Sequence, residues 1–137
     1  MTYKHLTSDP IDLSNMLSLA HHPAAGGIVL FSGEVRNHHK GKDVINISYE
    51  AFEEMAESMI AALIQDAVSK YELQYAQAIH RLGTVGITES AVAIITAHVH
   101  RKNAYEANQY IIDRIKAEVP IWKKENYSDG SYYWGAQ

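Results

Sequence analysis

Two lysines on either side of a proline carry the most suggestive chemistry in the chain. Lys116 closes a segment with helical periodicity, four residues after Ile112 and seven after Gln109, so it borders that helix's apolar face. An ammonium held against apolar surface loses hydration, which lowers its pKa and lets it act as a base or nucleophile. The competing reading is a lysine that complements the negative end of the helix dipole, with its stem on the core edge. Lys123 follows across Pro120. In an extended segment Ile121, Lys123 and Glu125 share one face, with Trp122 and Lys124 on the other. A sharp turn at Pro120 lets both lysines point into one space, where two ammonium groups lower each other's pKa and together attract an anion. The plainer alternative for Lys123 is an edge strand protected by lysines.

Arg36 ends an apolar run and precedes the polar loop Asn37-His38-His39-Lys40-Gly41-Lys42. Its planar fork suits a phosphate, and strand ends followed by glycine-containing loops often carry function, although composition alone equally describes a solvated loop. His98 and His100 are expected on one face of an apolar strand, with Arg101 next. A His-x-His pair on a strand can bind zinc, but no third ligand stands at a suggestive spacing. A pocket-edge histidine that hydrogen-bonds a ligand fits better, and no metal is expected. His80-Arg81 reads as a structural pair, and Met55 and Met59 as core. No nucleophile elbow, phosphate-binding loop or metalloprotease motif is present.

These residues need elements to position them. Asp9-Pro10 is expected to cap and begin a short helix reaching about Ala20, broken by His21 to Gly27. Ile28 to Gly33 reads as a buried strand continuing to Arg36. Ile45, Ile47, Tyr49 and Ala51 alternate with polar residues as in a half-buried strand. Residues 53–71 form the clearest helix, with Met55, Met59, Leu63, Ile64, Ala67, Val68 and Tyr71 as its apolar stripe. Strands near 75–82 and 91–100 follow, joined by a turn over 83–90. Asn103 with Glu106 predicts a capping box opening a second long helix, whose inner face carries Ala104, Tyr105, Asn108, Ile111, Ile112 and Ile115. Pro120 ends that helix, 121–125 is extended, and Asp129-Gly130 turns the chain into Tyr132-Tyr133-Trp134. Paired strands between helices predict an α+β domain with a mainly antiparallel sheet, two long helices and a short N-terminal helix.

A length of 137 residues suits a single domain spanning 1–137. Cysteine is absent, which excludes disulfides and thiolate chemistry and fits a reducing compartment. Any sulfur handled here must arrive on another molecule. No apolar signal core or membrane span is evident. A net charge of −4 argues against general nucleic-acid binding. Yet nine of the twelve Lys and Arg residues fall in two segments, 36–42 and 101–124, which suits a small anionic ligand.

Five segments together resemble one family. They are Phe31-Ser32-Gly33-Glu34-Val35-Arg36-Asn37, Tyr49-Glu50-Ala51-Phe52, His80-Arg81-Leu82-Gly83, His98-Val99-His100-Arg101, and Ile112-Asp113-Arg114-Ile115-Lys116 followed by Pro120-Ile121-Trp122-Lys123-Lys124-Glu125. Their order and spacing are similar to those of the large, catalytic subunit of molybdopterin synthase, the MoaE family. The resemblance implies an α/β-hammerhead fold and a cytoplasmic homodimer that forms a heterotetramer with a small ubiquitin-like sulfur-carrier subunit. The carrier's C-terminal thiocarboxylate would deliver sulfur to cyclic pyranopterin monophosphate, with no cofactor. By the same resemblance Lys116 and Lys123 match the catalytic lysines. Arg36, His100 and Arg101 match substrate-binding residues, and Phe31 an aromatic at the pocket wall. Some relatives carry a later arginine in a longer tail; none follows Arg114 here, which shifts the expected phosphate binding to Arg36, the 37–42 loop, or His100 and Arg101. The competing functions are a non-catalytic module for a phosphorylated metabolite, a structural partner for a ubiquitin-like tail, and a metal-dependent hydrolase.

Overall fold

The computed structural model describes residues 2–137. Among them the order is β1 Leu6–Thr7, α1 Leu13–Leu19, β2 Gly27–Glu34, β3 His38–His39, β4 Lys42–Ala51, α2 Glu53–Tyr71, β5 Tyr75–Arg81, β6 Gly83–Gly86, β7 Ser90–His98, α3 Arg101–Glu118, β8 Ile121–Tyr127 and β9 Tyr132–Ala136. The α+β expectation holds, with two long helices, a short N-terminal one, and pairing that is antiparallel except for β1 beside β5 and the Val35–Ile87 bridge.

Two sheets build the molecule. One runs β1-β5-β7-β2; in the other β4 lies between β6 and β8, with β9 beyond β8 and β3 extending the start of β4. The first sheet is covered on one face by α1, whose Met16 and Ala20 pack with Ala93 and Ile95. Its other face carries α3, with α2 packed against α3 and β5. Ile60 and Leu63 of α2 and Ile111 and Ile115 of α3 join Val85, Ile94 and Ile121 in the main core, which therefore links both sheets. Asn108 pins α3 to the sheet from a buried position, donating to the Val29 and Ile94 carbonyls at 3.0 Å each.

Several boundaries differ from expectation, each for a local reason. The cap of α1 is Asp12, whose carboxylate accepts from the Asn15 N–H at 2.9 Å; the Asp9 N–H instead bonds Thr7 Oγ1 at the end of β1. Helix α3 begins at Arg101, so Asn103 lies inside its first turn and His100 is the cap residue. Strand β7 stops at His98, whose Nδ1 accepts from the His100 N–H at 2.9 Å and turns the chain. A register shift between Val44 and Asn46 faces Val44 inward and leaves Ile45 exposed, as a bulge does. The inner stripe of α2 centres on Ala56, Ile60, Leu63, Ile64 and Ala67, which leaves Met55 exposed. Tyr105 of α3 likewise points out, and Ala107 takes the inner face instead. Within the expected 83–90 turn, residues 83–86 form β6 against β4.

Candidate functional site

Strand β2 leads into the site. Phe31 and Gly33 lie two apart on it, opposite Ile94 and Val92. A Cβ on Gly33 would come within 2.9 Å of Val92 Cγ1 and 3.4 Å of the Phe31 ring, so the glycine makes room for that ring. The strand ends at Glu34, and Val35 bridges to Ile87, bringing Arg36 to the pocket mouth. The chain then folds into the β3–β4 hairpin, in which Lys40 and Gly41 both have positive φ, 50° and 78°. A two-residue turn of this handedness matches the twist of the flanking strands. It sets His39 across from Lys42, with the hairpin further held by the Lys42–Asp129 ion pair.

The second wall comes from α3 and β8. Lys116 sits in the last turn of α3. Val119 leaves the helix in extended geometry, and β8 pairs Lys123 with Tyr49 and Glu125 with Ile47. The alternation read from 121–125 therefore holds: Lys123 and Glu125 share the pocket face. Lys116, Lys123, Arg36 and Phe31 all line one pocket of about 790 Å³, part of it open to solvent at the mouth. Desolvation lowers the Lys116 pKa, the Lys123 ammonium lowers it further, and Asp113 partly opposes both.

The floor holds groups that the sequence reading named without placing in the site, His80 as half of a structural pair, and one, Gln137, that it did not name. His80 is buried and its ring stands edge-on to Tyr49 at 4.9 Å. Its Nδ1 lies 2.7 Å from the Arg81 carbonyl, which can only accept, so Nδ1 carries a proton. Burial pushes its pKa down to about 4; hydrogen bonds from the ring to the Arg81 carbonyl and the Gln137 side chain oppose this, and the Lys116 charge adds to it. Burial, and then the negative charge of Glu125, push Tyr49 up to about 12. Glu125 is itself buried and accepts from His39 Nδ1, 2.7 and 2.9 Å from its two oxygens. Gln137 closes one side and donates to the Ile115 carbonyl at 3.0 Å. The face shared by Lys123 and Glu125 was a usable signal for Glu125. Nothing in the sequence marks Gln137 or pairs His39 with a residue 86 positions away.

His100 and Arg101 do not join this pocket within one chain. They line a separate concavity with Gly26, Val99 and Lys102. Arg101 and Lys116 stand at opposite ends of α3, about 22 Å apart at 1.5 Å per residue. Within one chain this pair therefore stands apart from the lysines, because it begins the helix whose far end carries Lys116. Among the described residues no three His, Asp or Glu side chains converge as a metal-ligand set. No helix among them is long and apolar enough to cross a membrane.

The pocket is thus a cationic cleft with one aromatic wall and a buried imidazole–carboxylate floor, suited to holding a small anion against a lysine of lowered pKa. Known proteins share this framework. The chain is 44% identical over 133 residues to the molybdopterin synthase catalytic subunit of Thermoplasma volcanium, covering 97% of each chain. It is 42% identical over 132 residues to that of Bacillus subtilis, covering 96% of this chain and 84% of the other. The crystal structure of molybdopterin synthase from Staphylococcus aureus superposes with a TM-score of 0.91 at 34% identity, over 100% of this chain and 99% of that one. The family profile described as MoaE protein matches residues 6–118, and the chain belongs to that family.

Proposed function

We propose that this chain is a sulfurtransferase of molybdenum cofactor biosynthesis, converting cyclic pyranopterin monophosphate to molybdopterin. Sulfur arrives as the C-terminal thiocarboxylate of a small ubiquitin-like sulfur-carrier subunit. The observation that carries this reading is the meeting of Lys116 and Lys123 in one pocket with Arg36 and Phe31, in a MoaE-family chain that has no cysteine of its own. Thiocarboxylate and cyclic phosphate are both anions, so convergent cations orient them and stabilise charge that develops between them.

In this reading the pocket works in parts. Arg36 takes substrate oxygens with its planar fork. Phe31 packs against the pterin. Lys116 stabilises the acyl or pterin intermediate, by charge or by a brief covalent bond, and its lowered pKa suits either use. Lys123 clamps the anion or supplies a proton. His100 and Arg101 are too far along α3 to act in their own chain's pocket, so as substrate-binding residues they serve the pocket of a second copy in a homodimer. Two such chains and two carriers make the working heterotetramer. Each chain acts as one catalytic domain, residues 1–137, in the cytoplasm.

The test mixes the purified protein with thiocarboxylated carrier and cyclic pyranopterin monophosphate and looks for the dithiolene product by mass spectrometry. Product forming in proportion to carrier consumed is the expected result. Tight binding of carrier or pterin with no conversion would leave only a binding module.

A further inference from the structure

Sulfur transfer from a thiocarboxylate sets a second chemical task besides holding and orienting the two anions. When the carrier's sulfur adds to a carbonyl carbon of the pterin substrate, the new C–S bond forms as the C=O π pair moves onto oxygen, which takes up a proton, and that sulfur is still joined to the carrier's acyl carbon. The product of the attack is a thioester linking carrier to pterin. Water must then add to the acyl carbon, the acyl–sulfur bond must break, and the sulfur must leave as a thiolate on the pterin. The carrier departs as a carboxylate. The water gives up a proton as it attacks, so a group in the pocket has to take it.

On the proposed sulfurtransferase reading, we propose that His39 and Glu125 form an imidazole–carboxylate dyad that activates this water. Glu125 is 3% exposed and holds both oxygens within 2.9 Å of His39 Nδ1. A carboxylate only accepts, so Nδ1 carries a hydrogen, and in the neutral imidazole Nε2, across the ring, keeps its lone pair. The His39 side chain is 28% exposed and lines the same pocket as Lys116 and Lys123, with Nδ1 turned towards the buried Glu125. In the step, Nε2 takes the water proton as oxygen bonds to the acyl carbon. Glu125 stabilises the imidazolium that results. The imidazolium then returns the proton to solvent, and the carrier's new carboxylic acid ionises.

The ring is held for this task. The tight turn at Lys40-Gly41 fixes its hairpin, the Val44 N–H bonds the Asn37 carbonyl at 2.9 Å, and Lys42 is tethered to Asp129. Glu125 lies on β8, two residues past Lys123 on the same face, so the dyad stands beside the clamped anion. The other histidines of the pocket lack this arrangement. His80 spends Nδ1 on a backbone carbonyl and protonates only near pH 4, too low for an efficient base in neutral solution. His38 is exposed and bonds only the Asn37 side-chain oxygen through Nδ1.

The test uses the assembled enzyme with thiocarboxylated carrier and cyclic pyranopterin monophosphate, sampled by rapid quench and intact-mass measurement. In His39→Gln the carrier–pterin adduct should form at the wild-type rate but break down more slowly, on the order of 10²-fold, and so accumulate. Added imidazole should restore breakdown in His39→Gly, a rescue that a purely structural histidine would not show. His39→Gln clearing the adduct at the wild-type rate would overturn the dyad alone. So would equal slowing of adduct formation and breakdown with no response to imidazole. A wild-type enzyme that yields neither adduct nor product would remove the sulfurtransferase reading and the dyad with it.

Discussion

Lys116 owes its lowered pKa first to partial loss of hydration and second to the ammonium of Lys123. Removing that second charge with Lys123→Ala should move the Lys116 titration to higher pH, because one cause of the depression is gone while Asp113 still favours the charged form. The rate at which an acylating reagent labels Lys116, followed against pH and located by peptide mass, reads this directly; an unchanged or lower midpoint would contradict the proximity of the two ammonium groups. His80 gives a stability prediction with a defined sign. Its folded pKa is about 4 against an ordinary 6.5, so the unfolded chain binds the proton first. Its contribution is fully present above the ordinary value and is lost as pH falls from there towards 4. The loss amounts to roughly 3 kcal/mol from this one group. Urea denaturation at about pH 7.5 and about pH 4.5 should therefore show a smaller acid loss for His80→Asn than for the wild type. Equal losses would mean that His80 does not titrate in this way.

Among the elements, α3 does the most to place the site, since it carries Lys116 at one end and Arg101 at the other. Its docking relies on Asn108, whose amide bonds two strand carbonyls from a buried position. Asn108→Ala should cost about 1–3 kcal/mol in denaturant-measured stability, well beyond the effect of an exposed control such as Gln109→Ala. A loss no larger than the control's would remove that pin from the fold's support. The helices, the extended segment after Pro120 and the common face of Lys123 and Glu125 were all legible in the sequence, because each rests on local periodicity or on proline geometry. What stayed hidden depended on distant partners. The bulge that exposes Ile45 is set by pairing with β8, and β6 exists only because β4 lies alongside it. The His39–Glu125 contact spans 86 positions and follows no spacing rule. His100 and Arg101 were identified by type, but their distance from Lys116 follows from a helix that starts two residues earlier than its apparent cap, Asn103.

At the scale of the whole molecule, the separation of Arg101 from Lys116 makes a homodimer part of the proposed chemistry. Mixing subunits tests this. In a dimer of one Lys116→Ala chain and one Arg101→Ala chain, a shared site built across the interface leaves one pocket with both residues intact. Activity should then recover to about half of the wild-type sites per mixed dimer, whereas sites contained within single chains would all remain defective. Net charge also acts at this scale. The molecule is acidic overall at −4, so the cationic pocket attracts anions against the field of the rest, and added salt should weaken substrate capture more than it alters the chemical step. Single-turnover rates against KM across a salt series separate the two effects.

The most direct measurement is single-turnover sulfur transfer by Lys116→Ala, with folding checked by circular dichroism and carrier binding by titration. The folded variant should bind thiocarboxylated carrier yet form dithiolene at least on the order of 10²-fold more slowly than the wild type. A folded, carrier-binding Lys116→Ala enzyme that converts the pterin at the wild-type rate would contradict a lysine-centred pocket as the seat of the reaction.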